Sequence, residues 1–583
     1  VPSLNRLPWP YLLAIAAPTW VAASRAPSTV FYNAIFSVAG MGLLLWHLAA
    51  VGSGPLSRAR TDGVTRQPPQ PLATAALPAL AGVLIGTVLP GLLPASVLLA
   101  VSALALTVAA ASSARRCPDV LMTSIAAAVL AAGVTGALIG LLQYLAPTLA
   151  PPWLIATPAT AGRAVGNLRQ PNQLATVLSL ALCALAWLGQ GRRWPLTALL
   201  SLQAVLVLGL VLTGSRMGLL MLVMLAAWGL VDRRLPWPVR ITLMATLPAA
   251  VFWTAAVWAW GHLGGVVYFG EARLSSGSDI SSSRFAIWSN TLALIRDNPW
   301  TGVGWGNFNF AWTLTAFPDR PIAFFDHTHN LVLQLAVELG LPATAALVVL
   351  FGWLVWRARR GLVHPHPQHA LSSTTAAAML GLVLVHSLLE YPLWYPYFLL
   401  PTALLLGVYL GAGGPRHEEL DGQPHDRGVK APLFRMVAAM MVAGAAYAAW
   451  SYEPIVQIFA PHGAAGLRPL TERIRLGQRS PLLGHHADYA AVTTASRPSD
   501  VFDAFDRPLH KLIDARLMVA YAKALAERGE RDKAVYVAQR LREFRHPLGD
   551  EFFAPCEAPP AAGSDPPFQC DLTPVRLTWK DFE

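Results

Sequence analysis

One feature constrains this chain more than any other: windows of about 20 apolar residues, such as "TSIAAAVLAAGVTGALIGLLQYL" from Thr123, recur along most of its first 450 positions. A run of that length spans about 30 Å of hydrocarbon, where every backbone polar group must be bonded internally. The runs are rich in Ala and Leu and do not alternate, so they are helices and not barrel strands. Composition agrees, since 54% of the 583 residues are hydrophobic and only 13% are charged, too apolar a balance for a soluble protein. The expected fold is an all-α polytopic membrane protein with about thirteen transmembrane helices. They fall at roughly 8–24, 29–51, 73–91, 94–113, 119–146, 172–190, 194–213, 217–231, 240–263, 330–356, 372–390, 396–412 and 433–451.

Arginine predicts how these helices thread, because positive charge in short loops stays on the cytoplasmic side. Arg58, Arg60 and Arg66 follow the second span, Arg115 and Arg116 the fourth, and Arg192 and Arg193 the sixth. Arg233, Arg234 and Arg240 follow the eighth, Arg357, Arg359 and Arg360 the tenth, and Arg416, Arg427 and Lys430 the twelfth. Every cluster follows an even-numbered span. The N-terminal side is therefore expected in the cytoplasm, the odd-to-even connections outside, and the residues after the thirteenth span outside as well. Much of the net charge of +11 is this arginine, and no basic tract with interleaved aromatics points to nucleic acid. The first span has no small-residue cleavage site after a short apolar core and reads as a retained helix.

Around Ser451 charge density rises and apolar runs shorten. Residues 1–451 read as the transmembrane domain, with a large external loop at 264–329, and 452–583 as a separate, mainly helical soluble domain. Within it "DARLMVAYAKALAERGERDKAVYVAQRLREF", Asp514 to Phe544, reads as two amphipathic helices joined at Gly529. Tyr521, Ala522 and Leu525 would face Ala534, Val537 and Leu541, a hairpin of the tetratricopeptide kind that cannot bury its own faces alone. It could be a packing cap on the membrane domain or a protein-binding platform. As a separate unit it is expected to be dispensable for any chemical step. Cys556 and Cys570 flank a Pro-rich loop; they are two free thiols or a disulfide, and a disulfide would require an oxidising compartment such as the bacterial periplasm.

The costliest polar residues gather on the external side. Arg163 and Arg169 precede "QPNQLA", Arg216 sits in the turn "LTGSRMG", Arg284 in the long loop, and His386, Glu390 and Tyr391 in "HSLLEYPLWYPYF". External arginines run against the positive-inside bias. Their planar fork of donors suits phosphate, and several together suit a pyrophosphate; each could instead be a structural ion pair or a snorkelling side chain. In "FDHTHNLVLQLAVELG", Phe325 to Gly340, Asn330 is a good helix cap. Steps of four from it reach Gln334 and Glu338, one face descending about 12 Å into the span. Glu338 is costly there without an arginine or water, so it is a buried partner or a catalytic carboxylate. His327 and His329 could act as a general base or electrostatically, cap the helix, or bind a metal with Asp326. No further ligand set lies on that side, so no metal is expected.

Three of these stretches, "TGSR", "SSSRFAIWSNTLALIRDNPWTGVGWGNF" from Ser281 and "HTHNLVLQLAVELG", together resemble the signature of the O-antigen ligase and polymerase superfamily of polytopic glycosyltransferases. Two more, "GNLRQPNQLA" and "HSLLEYPLWYPYFLLP", resemble one branch, the bacterial O-oligosaccharyltransferases that glycosylate pilins and other periplasmic proteins. A second glycine usual in the ligases, three residues after Gly340, is Ala343 here. The resemblance implies a GT-C-like membrane fold in the bacterial inner membrane, with the site facing the periplasm and no cofactor. It implies an oligosaccharide on undecaprenyl pyrophosphate as donor and a hydroxyl of a periplasmic protein as acceptor. Arg216 and Arg284, with Arg163 or Arg169, would hold the pyrophosphate. His329, or His327, would orient or deprotonate the acceptor, with Glu338 a further catalytic candidate and Asn330, Gln334, His386, Glu390 and Tyr391 around the acceptor. Three alternatives stay open: ligation of O-antigen to lipid A-core, O-antigen polymerisation, and a transporter or flippase of an anionic substrate.

Overall fold

The computed structural model describes residues 9–51, 94–149, 151–191, 194–264, 280–318, 320–412, 427–511, 513–557 and 566–583. Among them the regular elements are helices, apart from one isolated bridge between Arg25 and Ser28. In chain order they begin with α1, which runs Trp9–Tyr11, Leu12–Ala16 (π-helical) and Ala17–Trp20, then α2 (Phe31–Val51), α3 (Pro94–Ala114) and α4 (Pro118–Leu145). Next come α5 (Pro171–Gly191), α6 (Leu196–Leu212), α7 (Arg216–Val231) and α8 (Trp237–Met244 with Thr246–Gly264). The long connection carries α9 (Ile280–Asp297) and α10 (Phe308–Leu314), and α11 (Leu331–Ala358), α12 (Pro367–Leu389), α13 (Pro396–Ala412) and α14 (Arg427–Phe459) return to the apolar layer. The tail adds α15 (Leu470–Gln478), α16 (Gly484–Thr494), α17 (Ala515–Glu527), α18 (Arg531–Glu543) and α19 (Pro547–Phe553).

Eight described helices are long and apolar enough to cross a membrane, which makes this a multi-pass membrane protein. The other expected spans correspond to α1, to the shorter apolar helices α6, α7 and α13, and to segment 73–91. That segment, and the arginines at 58, 60, 66, 192, 193 and 416, lie outside the described residues. Small residues let the helices approach closely. A Cβ on Gly407 or Gly411 of α13 would sit 2.5 Å from Thr107 O or 2.4 Å from Ala111 O of α3, so this seam needs glycine on one side.

Contacts between loops sort them onto two ends of the bundle. Arg234 after α7 bonds to Asp232, to Leu362 O and to Thr374, joining the connections that follow α7 and α11 at one end. At the other end, Asn167 bonds to Trp20 O, Arg163 to Thr213 O, Arg284 to Glu390 and Tyr452 to Arg25 O. The described odd-to-even connections thus share a side, as the arginine pattern requires of them.

Two expectations about the tail change. Helix α14 continues to Phe459, so the boundary placed at Ser451 falls inside a continuous helix. The tail is also not a separate packing unit. Buried residues of the long connection, among them Ile287, Phe308, Phe310 and Trp312, form one apolar cluster with Leu517, Val537 and Leu541 of the tail. The expected hairpin is there: α17 and α18 meet around Gly529 (φ +82°), with Tyr521, Ala522, Leu525, Ala534, Val537 and Leu541 all buried. Its faces are covered by the loop, which is why one hairpin suffices. Cys556 and Cys570 are joined as a disulfide.

Helix α11 is broken at Gly340, where φ is +79° and ψ 167°, just before Pro342. The stretch Pro299–Gly304 closes on the break: Leu341 N–H donates to Pro299 O, Val303 N–H to Val337 O and Gly304 N–H to Glu338 O, at 2.8 to 3.1 Å. Ala336 and Val337 belong to the cluster shared with the tail. The part of α11 before Gly340 therefore sits in protein, and Glu338 is not immersed in lipid as the unbroken helix implied. A Cβ at Gly340 would lie 2.3 Å from Trp300 O. Gly340→Ala is accordingly expected to lower the thermal unfolding midpoint of the solubilised protein, by steric conflict added to about 1–2 kcal/mol of left-handed strain. Gly352→Ala in the same helix, where nothing lies within 4 Å, should be neutral or stabilising. Equal effects in a melting assay would show that the break at Gly340 is not what the fold requires.

Candidate active site

Glu390 caps the C-terminal end of α12: its N–H bonds to His386 O while its backbone turns extended. The residue is 8% exposed, and its carboxylate is shared by three partners. Oε1 accepts from Arg284 Nη2 at 2.5 Å and from Asn172 Nδ2 at 3.1 Å, and Oε2 lies 2.7 Å from His329 Nδ1. Asn172, in the first turn of α5, accepts from Ser215 Oγ at 2.7 Å, and Ser215 caps α7 through the Gly218 N–H. One turn back on α12, His386 Nδ1 lies 2.9 Å from Thr176 Oγ1 of α5. A carboxylate at this depth is tolerable only when its oxygens are paired, and here guanidinium, imidazole and amide all supply donors. Burial alone would raise the Glu390 carboxyl, but the His329 hydrogen bond and charge, with the Arg284 charge, hold it below the usual range.

His329 is held by its own backbone and its neighbours. Its backbone is left-handed, φ +56°, one of three non-glycine residues of that kind among the described residues; another is Arg169 at +57°. Around it Thr328 N–H donates to Gln334 Oε1, Thr328 Oγ1 to Asn330 O, and Trp288 Nε1 to Thr328 O. Asn330 caps α11 by accepting from Val332 and Leu333 N–H, and its amide also donates to Leu388 O of α12. The ring lies edge-to-face with Tyr391 at 4.9 Å and with Phe325 at 5.7 Å. With Nδ1–H donated to Glu390, a neutral His329 keeps its lone pair on Nε2, the tautomer a general base needs. His327 is held differently. Its ring stacks on Tyr391 at 4.4 Å and abuts Trp394, and its Nδ1 lies 3.1 Å from Asp326 but off the line of a hydrogen bond. The two histidines thus face separate carboxylates, and no three His, Cys, Asp or Glu side chains converge as a metal set among the described residues.

The four arginines divide. The Arg284 side chain is 29% exposed and Arg216 stands exposed at the first position of α7, beside the Ser215 that joins the hub. Arg163 reaches the same turn, donating from Nε to Thr213 O at 2.9 Å. Arg169 instead spends donors on Asn167 O and Ala22 O, tying its loop to the segment after α1. Gln334 is used by Thr328, and Glu338 accepts from Phe308 N–H at 3.4 Å, so both serve loop backbones and not the Glu390 cluster. Among the described residues Glu338 is partnered not by an arginine but by the backbone of the glycine-rich "TGVGWGNF" stretch. Asn172, Ser215 and Thr176 were not singled out from sequence. The signal available was their place in "QPNQLAT" and "LTGSR", polar residues at helix starts facing the same side.

Residues 201–348 match the family described as O-Antigen ligase, residues 374–548 that described as Virulence factor membrane-bound polymerase, C-terminal, and residues 164–188 that described as Protein glycosylation ligase. The Glu390 hub draws on all three segments: Asn172 from one, Arg284 and His329 from another, Glu390 from the third. The chain is 28% identical over 263 residues to a General O-oligosaccharyltransferase of Acinetobacter baylyi, covering 42% of this chain and 43% of that protein. It is 26% identical over 249 residues to a ComP-specific O-oligosaccharyltransferase of the same organism, covering 42% and 44%. The matched stretch thus spans less than half the length of the curated relatives. These findings place the chain's likeness with O-oligosaccharyltransferases of the O-antigen ligase superfamily.

The lowered Glu390 carboxyl sets a sign for pH. Its folded value lies below its unfolded one, so the stabilisation is complete above the ordinary carboxylate range, about 4.3, and is lost as pH falls through the folded value. The melting midpoint of the parent protein should exceed that of Glu390→Gln from pH 7 down to about 5, and the margin should shrink below about 4. A margin unchanged down to about pH 3, or absent at pH 7, contradicts the pairing.

Proposed function

We propose that this chain transfers an oligosaccharide en bloc from undecaprenyl pyrophosphate to hydroxyl groups of periplasmic protein acceptors, pilins among them. The observation that carries the reading is the pairing of His329 Nδ1 with a buried carboxylate at one end of the bundle, within the same polar network as Arg284 and next to the Arg216 turn. On this reading the chain crosses the inner membrane about thirteen times, and the arginine-lined end faces the periplasm. The Cys556–Cys570 bond in the tail suits that oxidising side. The transmembrane unit and the mainly helical tail with its tetratricopeptide-like hairpin then divide near the end of α14.

The chemistry follows from the atoms. His329 Nε2 accepts the proton of the acceptor hydroxyl as its oxygen attacks the anomeric carbon. The bond from that carbon to pyrophosphate oxygen breaks, and its electron pair leaves with the pyrophosphate. Negative charge grows on the leaving group, and Arg284, Arg216 and Arg163 are the residues that would meet it, aided by the first-turn N–H groups of α7. Glu390 keeps His329 in the right tautomer and stabilises the imidazolium that forms, as a carboxylate does beside a catalytic histidine. Tyr391 packs against the ring, while His386, one turn before Glu390, bonds to Thr176 of α5. The proton then passes from imidazolium to water or released pyrophosphate. This scheme asks for no divalent metal. The match to a polymerase family over 374–548 favours one second reading, in which the acceptor is itself a lipid-linked glycan.

Two outcomes test the assignment. His329→Ala should abolish transfer while leaving donor binding in place; a variant that still transfers at the parent rate removes the base. Arg284→Lys should slow turnover nearly as much as Arg284→Ala, because lysine keeps charge but loses the planar fork. The expected loss is about 2–4 kcal/mol, or roughly 30- to 1000-fold. Arg25→Lys is the control: Arg25 pairs with Glu453 at 3.5 Å with both side chains nearly half exposed, a contact of little energy. Transfer by Arg284→Lys above about half the parent rate at saturating donor would mean that Arg284 only pins the loop to Glu390.

A further inference from the structure

Arg320, in the connection between α10 and α11, is a charged side chain with 1% of its surface exposed. Each of its three guanidinium nitrogens is engaged, by two different parts of the chain. Nε meets Glu543 Oε2 of α18 at 2.9 Å, Nη1 meets Trp312 O at 2.9 Å, and Nη2 meets Thr315 O. The guanidinium also lies 4.8 Å from the Trp312 ring and 4.5 Å from that of Phe544, which follows Glu543 in the tail. Burying an arginine this fully is costly unless every donor and face is matched, and burial pushes its own value down to about 10. A surface loop has no need of such a device.

What the device holds is the approach to His329. Phe544 stacks on Phe324 at 3.9 Å, and the adjacent Phe325 packs edge-on against Trp312 and against the His329 ring. A second bridge runs parallel: Asn309 donates to Phe325 O and accepts from the tail's Ile513 N–H at 2.7 Å. The tail therefore reaches the histidine in two steps, through Phe324 and Phe325. We propose that the C-terminal helices are a positioning element for His329, with Arg320 as the positioning residue that locks them to its loop. This reverses the expectation that the tail is dispensable for the chemical step. It rests on the proposed role of His329, but the coupling itself is independent of that role.

The test uses the full-length protein in detergent and two readouts. One is the rate at which diethyl pyrocarbonate modifies His329, followed by mass spectrometry; the other is transfer at saturating donor. Arg320→Lys keeps the charge but cannot serve three acceptors in one plane. It should raise His329 modification severalfold and lower kcat about 10- to 100-fold, the loss that a misplacement of about 1 Å can cause, with donor KM within about twofold. Phe325→Leu leaves Arg320 alone and removes only the ring contact; it should move both readouts in the same direction and serves if Arg320→Lys does not fold. Resistance of the tail to trypsin should be unchanged in both. Unchanged His329 modification in both variants overturns the inference, as does a kcat loss that appears only together with a trypsin-sensitive tail. Increased modification with undiminished transfer upholds the coupling and instead overturns His329 as the base.

Discussion

A buried carboxylate at the end of α12 is the constraint on which the rest of this structure turns. Glu390 cannot stay ionised at 8% exposure without partners, and the network that supplies them draws on four other places in the chain. Arg284 brings α9, His329 brings the entry to α11, and Asn172 brings the start of α5 and, through Ser215, the start of α7. Removing any one would leave charge or polar groups unmatched in a low-dielectric setting, which is costlier than never having made the contact. Five segments with no sequence continuity are held to one geometry for that reason. The same pairing leaves His329 with a defined tautomer and Arg284 partly exposed, which is what turns a structural knot into a candidate catalytic one.

Around that knot the fold spends unusual backbone. His329 and Arg169 are left-handed, and α11 breaks at Gly340, where Pro299–Gly304 supplies the backbone partners that the break releases. Strain of this sort persists only where surrounding contacts over-determine it. The contacts are of two kinds: the loop "TGVGWGNF", which lies on the outer part of α11, and the tail, which shares an apolar cluster with the same loop. The membrane helices position α5, α7 and α12, while loop and tail together position α9 and the entry to α11.

Much of this was legible in the sequence because it rests on local patterns. Apolar windows placed the helices, arginine placement sorted the loops by side, and Asn330 read correctly as the cap of α11. Arg216, Arg284, His329 and Glu390 stood out because charge beside a membrane is expensive wherever it occurs. What was not legible depends on non-local pairing. Nothing near Glu390 in sequence says that Asn172, 218 positions earlier, shares its oxygen. Glu338 was read as lying in the span because a periodic helix was extended through Gly340, whose left-handed φ breaks it. Arg320 drew no notice because a lone arginine in a loop is usually solvated; only the tail, 223 positions on, makes it a buried lock. The tail looked separate since its composition changes, while the apolar faces that join it to the loop are ordinary amphipathic stripes.

The central claim is that the Glu390–His329 pair does the proton work of a glycosyl transfer beside an arginine-held leaving group. The most direct measurement is the intact mass of an acceptor protein after incubation with undecaprenyl-pyrophosphate-linked oligosaccharide and either the parent protein or Glu390→Gln. The account predicts that the parent adds the whole glycan in a single step, and that Glu390→Gln, which leaves the imidazole without its anionic partner, binds donor comparably but transfers at least about tenfold more slowly. An unmodified acceptor with the parent protein, or transfer by Glu390→Gln at the parent rate, contradicts it.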